Sequence, residues 1–318
     1  MPISQSALDD VLHHVVHKLE AYQAQQRSPN VKPRPFVLGL SGMQGSGKST
    51  WAQSLADALQ TRHRAKVVVL SLDDLYHTHE ALVRIRLTNA SNVLLHHRGQ
   101  PGTHDEALAE RFFEAVAAGG VVAVPAFDKS RVCGEGDRAP VSEWQCVTGE
   151  PPIDVLIFEG WCVGFQALSE AELERKWDEA RRQQQTPDAA EELPSTAVLR
   201  EHPLEHLQTI NENLGRYNTN FLGPARFDYL VHLDTQKLAN VYRWRLQQEH
   251  ALREAKGTGM TDEEVVQFVR VYMPAYELYL ERLQKEPFIP HSTEKGQGNT
   301  QLRVILDEDR KIVCMEEI

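Results

Sequence analysis

No apolar run in the 318 residues approaches the ~20 that a membrane-spanning helix needs, so the sequence offers no candidate span. The stretch Met1 to Asp10 is polar and acidic, without the pattern of a secretory signal or an Arg-rich transit peptide. Cysteine is scarce. Cys133, Cys146, Cys162 and Cys314 are scattered with no C-x-x-C spacing, which argues against zinc or a disulfide framework and for free thiols in a reducing compartment. A cytoplasmic location is the expectation. Basic residues are outnumbered, 34 Lys and Arg against 45 Asp and Glu, for a formal net charge of -11. Neither a nucleic acid nor an anionic membrane is therefore the expected main partner, and local basic clusters serve something small and anionic. No segment repeats at solenoid periods. What is present, 41% hydrophobic and 25% charged residues, is ordinary for a soluble globular chain able to bury a large core.

Apolar periodicity predicts a helix over Ala7 to Gln26, with Val11, Leu12, Val15, Val16 and Leu19 on one stripe. His13, His14 and His17 lie on this helix with no carboxylate or cysteine at ligand spacing, and read as a partly solvated face. The proline-rich stretch Ser28 to Pro35 closes an N-terminal helix-and-linker segment, 1–35. Short apolar runs predict buried strands at Phe36 to Leu40, Lys66 to Leu72, Val121 to Phe127, Ile153 to Phe158 and Phe227 to Leu233. Helices are expected between them, at Thr50 to Gln60 and Asp105 to Ala118 among others, and at Thr235 to Ala255. This alternation predicts one α/β domain over 1–318, three layers deep, with a mainly parallel central sheet flanked by helices. The segment Ser169 to Glu201 is charged and reads as a helix ending in a mobile insertion, outside the core. A loop at His291 to Thr300 leads to a strand pair, Gln301 to Leu306 and Arg310 to Cys314.

Between the first strand and the next helix stands Gly42-Met43-Gln44-Gly45-Ser46-Gly47-Lys48-Ser49-Thr50, which fits G-x-x-x-x-G-K-[ST] without a mismatch. Glycines there let backbone N–H groups wrap a polyphosphate, and the helix N-terminus adds partial positive charge. Lys48 is expected to reach the β- and γ-phosphates of a nucleoside triphosphate such as ATP, and Ser49 to ligate Mg2+. No N-K-x-D or LSGGQ-like segment follows, which argues against a guanine-specific GTPase and a transporter ATPase. Acids do follow two other strands: Asp73 and Asp74, then Glu159. Strand ends are where the functional crevice of an open α/β sheet lies. Asp73 fits a base for an acceptor hydroxyl and Glu159 a magnesium partner, the bland alternative for Asp73-Asp74 being a helix cap. The stretch Phe127 to Arg138 follows a strand and combines Asp128, Lys129, Arg131 and Arg138 with three further turn-forming glycine and serine positions, a composition suited to holding an anion. Arg98, His104 and Asp105 precede a helix, where Asp105 doubles as a possible N-cap. On the helix Thr235 to Ala255, Arg243 is the expected arginine to close over the transferring phosphate, with Arg245 the alternative. Pairing of Arg245 with Glu249 on a surface helix is an equally good reading.

Together the glycine loop, Ser71-Leu72-Asp73-Asp74-Leu75-Tyr76, Phe158-Glu159-Gly160 and the arginine-bearing helix resemble the phosphoribulokinase, uridine kinase and pantothenate kinase group of P-loop kinases. Within that group the chain is more similar to the D-glycerate 3-kinase family and its fungal relatives. That narrower likeness rests on Arg98-Gly99, Gly102 to Asp105, Phe127 to Ser130, Gly134 to Ala139, Glu159-Gly160-Trp161, Tyr242 to Gln247 and Arg270 to Tyr276. It implies a P-loop NTPase fold and Mg-ATP-dependent phosphorylation of the 3-hydroxyl of D-glycerate. Asp73 then matches the group's catalytic acid–base residue, Lys48 and Ser49 its phosphate and magnesium contacts. Substrate contacts are expected from Tyr76, Arg98, His104, Asp105, Asp128, Lys129, Arg131 and Arg138, and the residues leave open which cation meets the carboxylate. A kinase for a nucleoside or a pantothenate-like alcohol, and an ATP-binding regulator, are the competing readings; the oligomeric state is left open.

Overall fold

A strand with both faces covered can be apolar at every position, and β1 (Phe36–Gly42), which follows helix α1 (Gln5–Gln26), is buried throughout. In the computed structural model the described residues are 3–26, 34–183, 193–290 and 299–318. After β1 come α2 (Lys48–His63), β2 (Val67–Ser71), α3 (His79–Thr88) and α4 (Glu106–Ala118). Four short strands follow: β3 (Val122–Val124), β4 (Phe127–Asp128), β5 (Asp137–Arg138) and β6 (Gln145–Val147). The chain continues through β7 (Val155–Gly160), α5 (Glu170–Arg182), α6 (Leu204–Asn220), β8 (Tyr229–Thr235), α7 (Asn240–Lys256), α8 (Asp262–Arg270), α9 (Met273–Lys285), β9 (Gln301–Leu306) and β10 (Ile312–Glu317).

Six of these strands form one sheet, ordered β10-β9-β8-β1-β7-β2, parallel except for the antiparallel edge strand β10. Alternate residues point to opposite layers. Phe36, Leu38 and Leu40 of β1 join Val11 and Val15 of α1 and Leu55 and Leu59 of α2 on one face. Val37, with Leu156 and Phe158 of β7, joins Phe112, Leu214 and Leu283 of the helices on the other. The expected three-layer α/β architecture is present. His13 and His17 on α1 are solvent-exposed, and no group of three or more potential metal ligands occurs among the described residues. No described helix is long and apolar enough to cross a membrane.

Two expectations need correction. The run Val121 to Phe127 is not a strand of the central sheet: β3 pairs antiparallel with β6, and β4 with β5. Pro125, which has no N–H to give, separates β3 from β4, and Val121 is largely exposed. The segment 169–201 is not wholly outside the core either, since Leu173, Val198 and Leu199 are buried. Its helix is fixed by a capping box between Ser169 and Glu172, and Leu173, Trp177 and Ala180 are in helical phase against the body. Its stretch 184–192 lies outside the described residues, as do most of the lead-in Ser28 to Pro35 and the loop His291 to Thr300.

Candidate active site

The loop between β1 and α2 turns at Gly45 and Gly47, whose φ angles of 79° and 92° lie in the left-handed region that only glycine enters cheaply. Gly45 has a second reason: a Cβ there would come 2.6 Å from the Cβ of Trp244. No side chain caps the start of α2, so its first N–H groups face the cleft as an anion cradle. Lys48 bends back and donates to the Met43 carbonyl at 3.2 Å. Burial pushes its ammonium pKa down, against the opposing pull of Glu159 and Asp73. The Ser49 hydroxyl donates to Glu159 Oε1 at 2.8 Å. Glu159 arrives there because β7 is paired in register with β1 at Leu40 and with β2 at Ser71.

Asp73 follows β2 in a short 3-10 turn whose N-cap, Ser71, accepts the Asp73 N–H. Its carboxylate accepts from the Tyr76 hydroxyl at 2.9 Å and from Lys129 Nζ at 2.5 Å. Burial opposes the charge, but Lys129 and then Tyr76 outweigh it and hold the carboxyl down to about 2. Asp74 points elsewhere and accepts the Phe127 N–H at 3.1 Å. Burial raises it to about 6 despite that hydrogen bond, and the charge of Asp73 adds to the rise. The adjacent acids are thus divided by environment: Asp73 faces the cleft, and Asp74 ties the turn to β4.

These groups line a cleft of about 370 Å³ at the carboxyl ends of the strands. Its floor is the loop from Gln44 to Thr50, with Asp73 and Glu159 beside it. Tyr76, Arg98 and Lys129 also line it. So do Arg245, Gln248, Phe268, Trp161 and Tyr272, and apart from Arg245 the sequence reading gave these no role. Trp161 and Tyr272 did stand inside the motif blocks, whereas Phe268 and Gln248 carry no local signal. Gly42 and Ser46 lie just behind the lining, Ser46 fully buried.

Several expected contacts fall outside it. His104 is buried behind Tyr76, its ring stacked on the tyrosine at 4.5 Å and its Nδ1 3.1 Å from the Tyr217 hydroxyl. Burial drives its pKa down to about 3, so it is neutral. Asp105 caps α4 through the Leu108 N–H and pairs with Arg138 at 2.9 Å, while Arg138 also donates to the Tyr76 carbonyl. Asp128 holds the turn at Ser130, and Arg131 pairs with Asp128 and Glu143. Arg243 is bound to Glu308 and is not in the lining. Arg245 is, and it also pairs with Glu249 at 3.0 Å, so the arginine of α7 that lines the cleft is two residues on from the expected one. Arg243 and Arg245 differ by two positions, which places them on different faces of α7.

Strand, glycine loop and helix, with carboxylates at the neighbouring strand ends, define a P-loop kinase, a phosphotransferase on an ATP-binding fold. No family model matches the chain. Individual proteins do. A kinase of Schizosaccharomyces pombe, mug58, itself uncharacterized, is 37% identical over 98% of this chain and 99% of its own length. The chloroplastic D-glycerate 3-kinase of Arabidopsis thaliana is 36% identical over 79% of this chain, which spans 49% of that longer protein. Among solved structures, the D-glycerate 3-kinase of Cryptococcus neoformans has a TM-score of 0.82 at 34% identity, covering 98% of this chain and 99% of that one. The chain belongs to the D-glycerate 3-kinase family.

Proposed function

We propose that the protein transfers the γ-phosphoryl group of ATP to the 3-hydroxyl of D-glycerate, giving 3-phosphoglycerate and ADP. The observation that carries this reading is the Lys129–Asp73 contact at 2.5 Å in the cleft above the phosphate loop. It sets a cation for a carboxylate beside a base for a hydroxyl, and glycerate carries both groups, its carboxylate one carbon removed from the carbon that bears the 3-hydroxyl. The fold of the D-glycerate 3-kinase of Cryptococcus neoformans over nearly the full chain supports the same substrate.

The cradle fits a triphosphate, since side chains at Gly45 and Gly47 would strain it. The hydroxyl and carboxylate of Ser49 and Glu159, 2.8 Å apart, are the hard oxygen donors that magnesium prefers. Bound there, Mg2+ would neutralise charge on the phosphate oxygens. Asp73 accepts the proton of the 3-hydroxyl as its oxygen attacks phosphorus and the bond to the β–γ bridging oxygen breaks. Lys129 must leave Asp73 for this, and the substrate carboxylate, with Arg98 beside it, gives it a new partner. Tyr76 holds the Asp73 carboxylate in orientation through its hydroxyl. Lys48 and Arg245 offset the charge of the group in transit.

The aromatic lining does not favour a nucleoside acceptor. Phe268 is covered by the Arg245 guanidinium, 5.4 Å from its centroid, and Trp161 packs edge-on against Tyr272 with its Nε1 bound to the Gly99 carbonyl. A steady-state assay of ADP release over a panel of acids and nucleosides tests the reading. Strong stimulation by D-glycerate is expected, and stimulation only by uridine, pantothenate or nothing would remove it.

A further inference from the structure

The turn between β9 and β10 lies far along the chain from the phosphate loop, yet it touches it. Arg310 sits in this turn with φ at 63°, a left-handed conformation uncommon for arginine. The turn is held in it by the Arg310 N–H on the Asp307 carbonyl and by the Asp307 carboxylate, which accepts from the N–H groups of Asp309 and Lys311. From there the guanidinium makes three hydrogen bonds to two other parts of the molecule. Nε donates to the Gly45 carbonyl of the loop at 2.6 Å. Nη1 donates to Gln247 Oε1 at 2.6 Å and Nη2 to the Trp244 carbonyl at 3.1 Å, both on α7. The same turn grips α7 again, through the Trp244 Nε1 bond to the Glu308 carbonyl and the Arg243–Glu308 pair.

We infer that Arg310 is a positioning residue for phosphoryl transfer, fixing the Gly45–Ser46 peptide of the phosphate loop against the helix that carries Arg245. A trans peptide is planar, so holding its carbonyl sets the direction of its N–H. In this peptide the carbonyl is held by Arg310 and the Ser46 N–H by the Met43 carbonyl at 3.2 Å, which pins the plane at both ends. The loop and α7 also meet directly, since Gly45 has no room for a Cβ against Trp244. Arg245 and Gln248, each one residue beyond an Arg310 contact on α7, line the cleft, while Arg310 does not. Arg310 therefore acts on the reaction through the loop and the helix. Only a planar guanidinium reaches three acceptors in a fixed fork, which a lysine cannot replace. The inference needs the kinase fold alone and does not depend on which alcohol is the acceptor.

Calorimetric titration of the full chain with Mg-ADP tests it, because binding is read without any acceptor. Arg310→Ala is expected to bind Mg-ADP about tenfold more weakly, the scale of losing hydrogen bonds from a charged donor. Millimolar guanidinium is expected to restore most of the loss by refilling the vacated site. Arg310→Lys should fall between the two, and Gln247→Ala, which cuts one of the three bonds, should weaken binding about threefold if the alanine variant at Arg310 does not fold. A folded Arg310→Ala with parental affinity, or a loss that guanidinium leaves unchanged, overturns the inference and reduces the turn to a staple of the C-terminal hairpin.

Discussion

Asp73 rests with two donors on its carboxylate, and that arrangement keeps it charged but also occupied. A carboxylate in this state has little affinity for a proton until Lys129 moves away. Asp73→Asn is expected to lower kcat by roughly 10²-fold or more while leaving Mg-ATP binding intact, the scale of losing a general base. Turnover near the parental rate would shift the role to Asp74 or to water. The depressed pKa has a consequence for pH as well. With Lys129 in place, Asp73 at about 2 is ionised across the working range and contributes no acid limb to kcat/KM there. Removing the ammonium takes away the largest of the forces holding the carboxyl down, so Lys129→Met should move the acid limb to higher pH and raise the KM for the acid substrate. A pH–rate profile of the two proteins side by side checks both signs. The same scale explains which cleft-lining residues could be read in advance. Asp73, Glu159, Lys48 and Ser49 declare themselves because a glycine loop and two strand ends leave an acid or a cation few other uses. Asp105, Asp128, Arg131 and Arg138 have the same composition as ligand-binding loop residues, yet they cap a helix, close a turn and pair with one another. Only geometry separates these two uses of a polar loop.

Elements whose two faces are both covered are legible as β-branched or apolar runs, which is why β1, β7 and β8 are visible in the sequence; β2 shows the same run although its alternate residues are only half-buried. The run at Val121 to Phe127 looked the same over seven letters, but a proline inside it and solvent on Val121 leave only three-residue pairing. The lining residues Gln248 and Phe268 have no local signal because α7 and α8 bring them to the cleft from far along the chain. One helix contact gives a prediction of its own. Glu277 of α9 accepts the N–H groups of Val198 and Leu199, both at 2.8 Å, and anchors the segment that returns after α5. Burial raises its carboxyl to about 7, against the pull of those two hydrogen bonds. A raised folded-state pKa stabilises below the unfolded value of about 4.5 and loses that contribution as pH climbs through about 7. Glu277→Gln keeps an acceptor for both N–H groups without the charge. Its melting temperature should exceed the parent's above pH 7 and converge with it towards pH 4.5. A deficit at every pH would show that the anchor depends on the ionised carboxylate.

At the scale of the whole molecule, the phosphate loop is held from three directions that have no sequence proximity. The Tyr276 hydroxyl of α9 takes the Gln44 N–H at 3.2 Å, Arg310 of the C-terminal hairpin takes the Gly45 carbonyl, and Glu159 of β7 takes the Ser49 hydroxyl. A loop so fixed loses little conformational freedom when it closes on phosphates, so binding energy is free to appear as stabilisation of the entire domain. Linkage gives the size: a ligand at a hundred times its Kd adds about 2.7 kcal/mol to unfolding, which for a chain of this length is a rise of several degrees in Tm. Thermal melts with saturating Mg-ADP should therefore show that rise in the parent and equally in Asp73→Asn, since the proposed function gives Asp73 the acceptor and not the nucleotide. Lys48→Ala should lose most of it, because the proposed function sets its ammonium nearest the phosphates. A full shift in Lys48→Ala would place the nucleotide elsewhere, and a lost shift in Asp73→Asn would mean that the carboxylate shapes the loop instead of serving the acceptor.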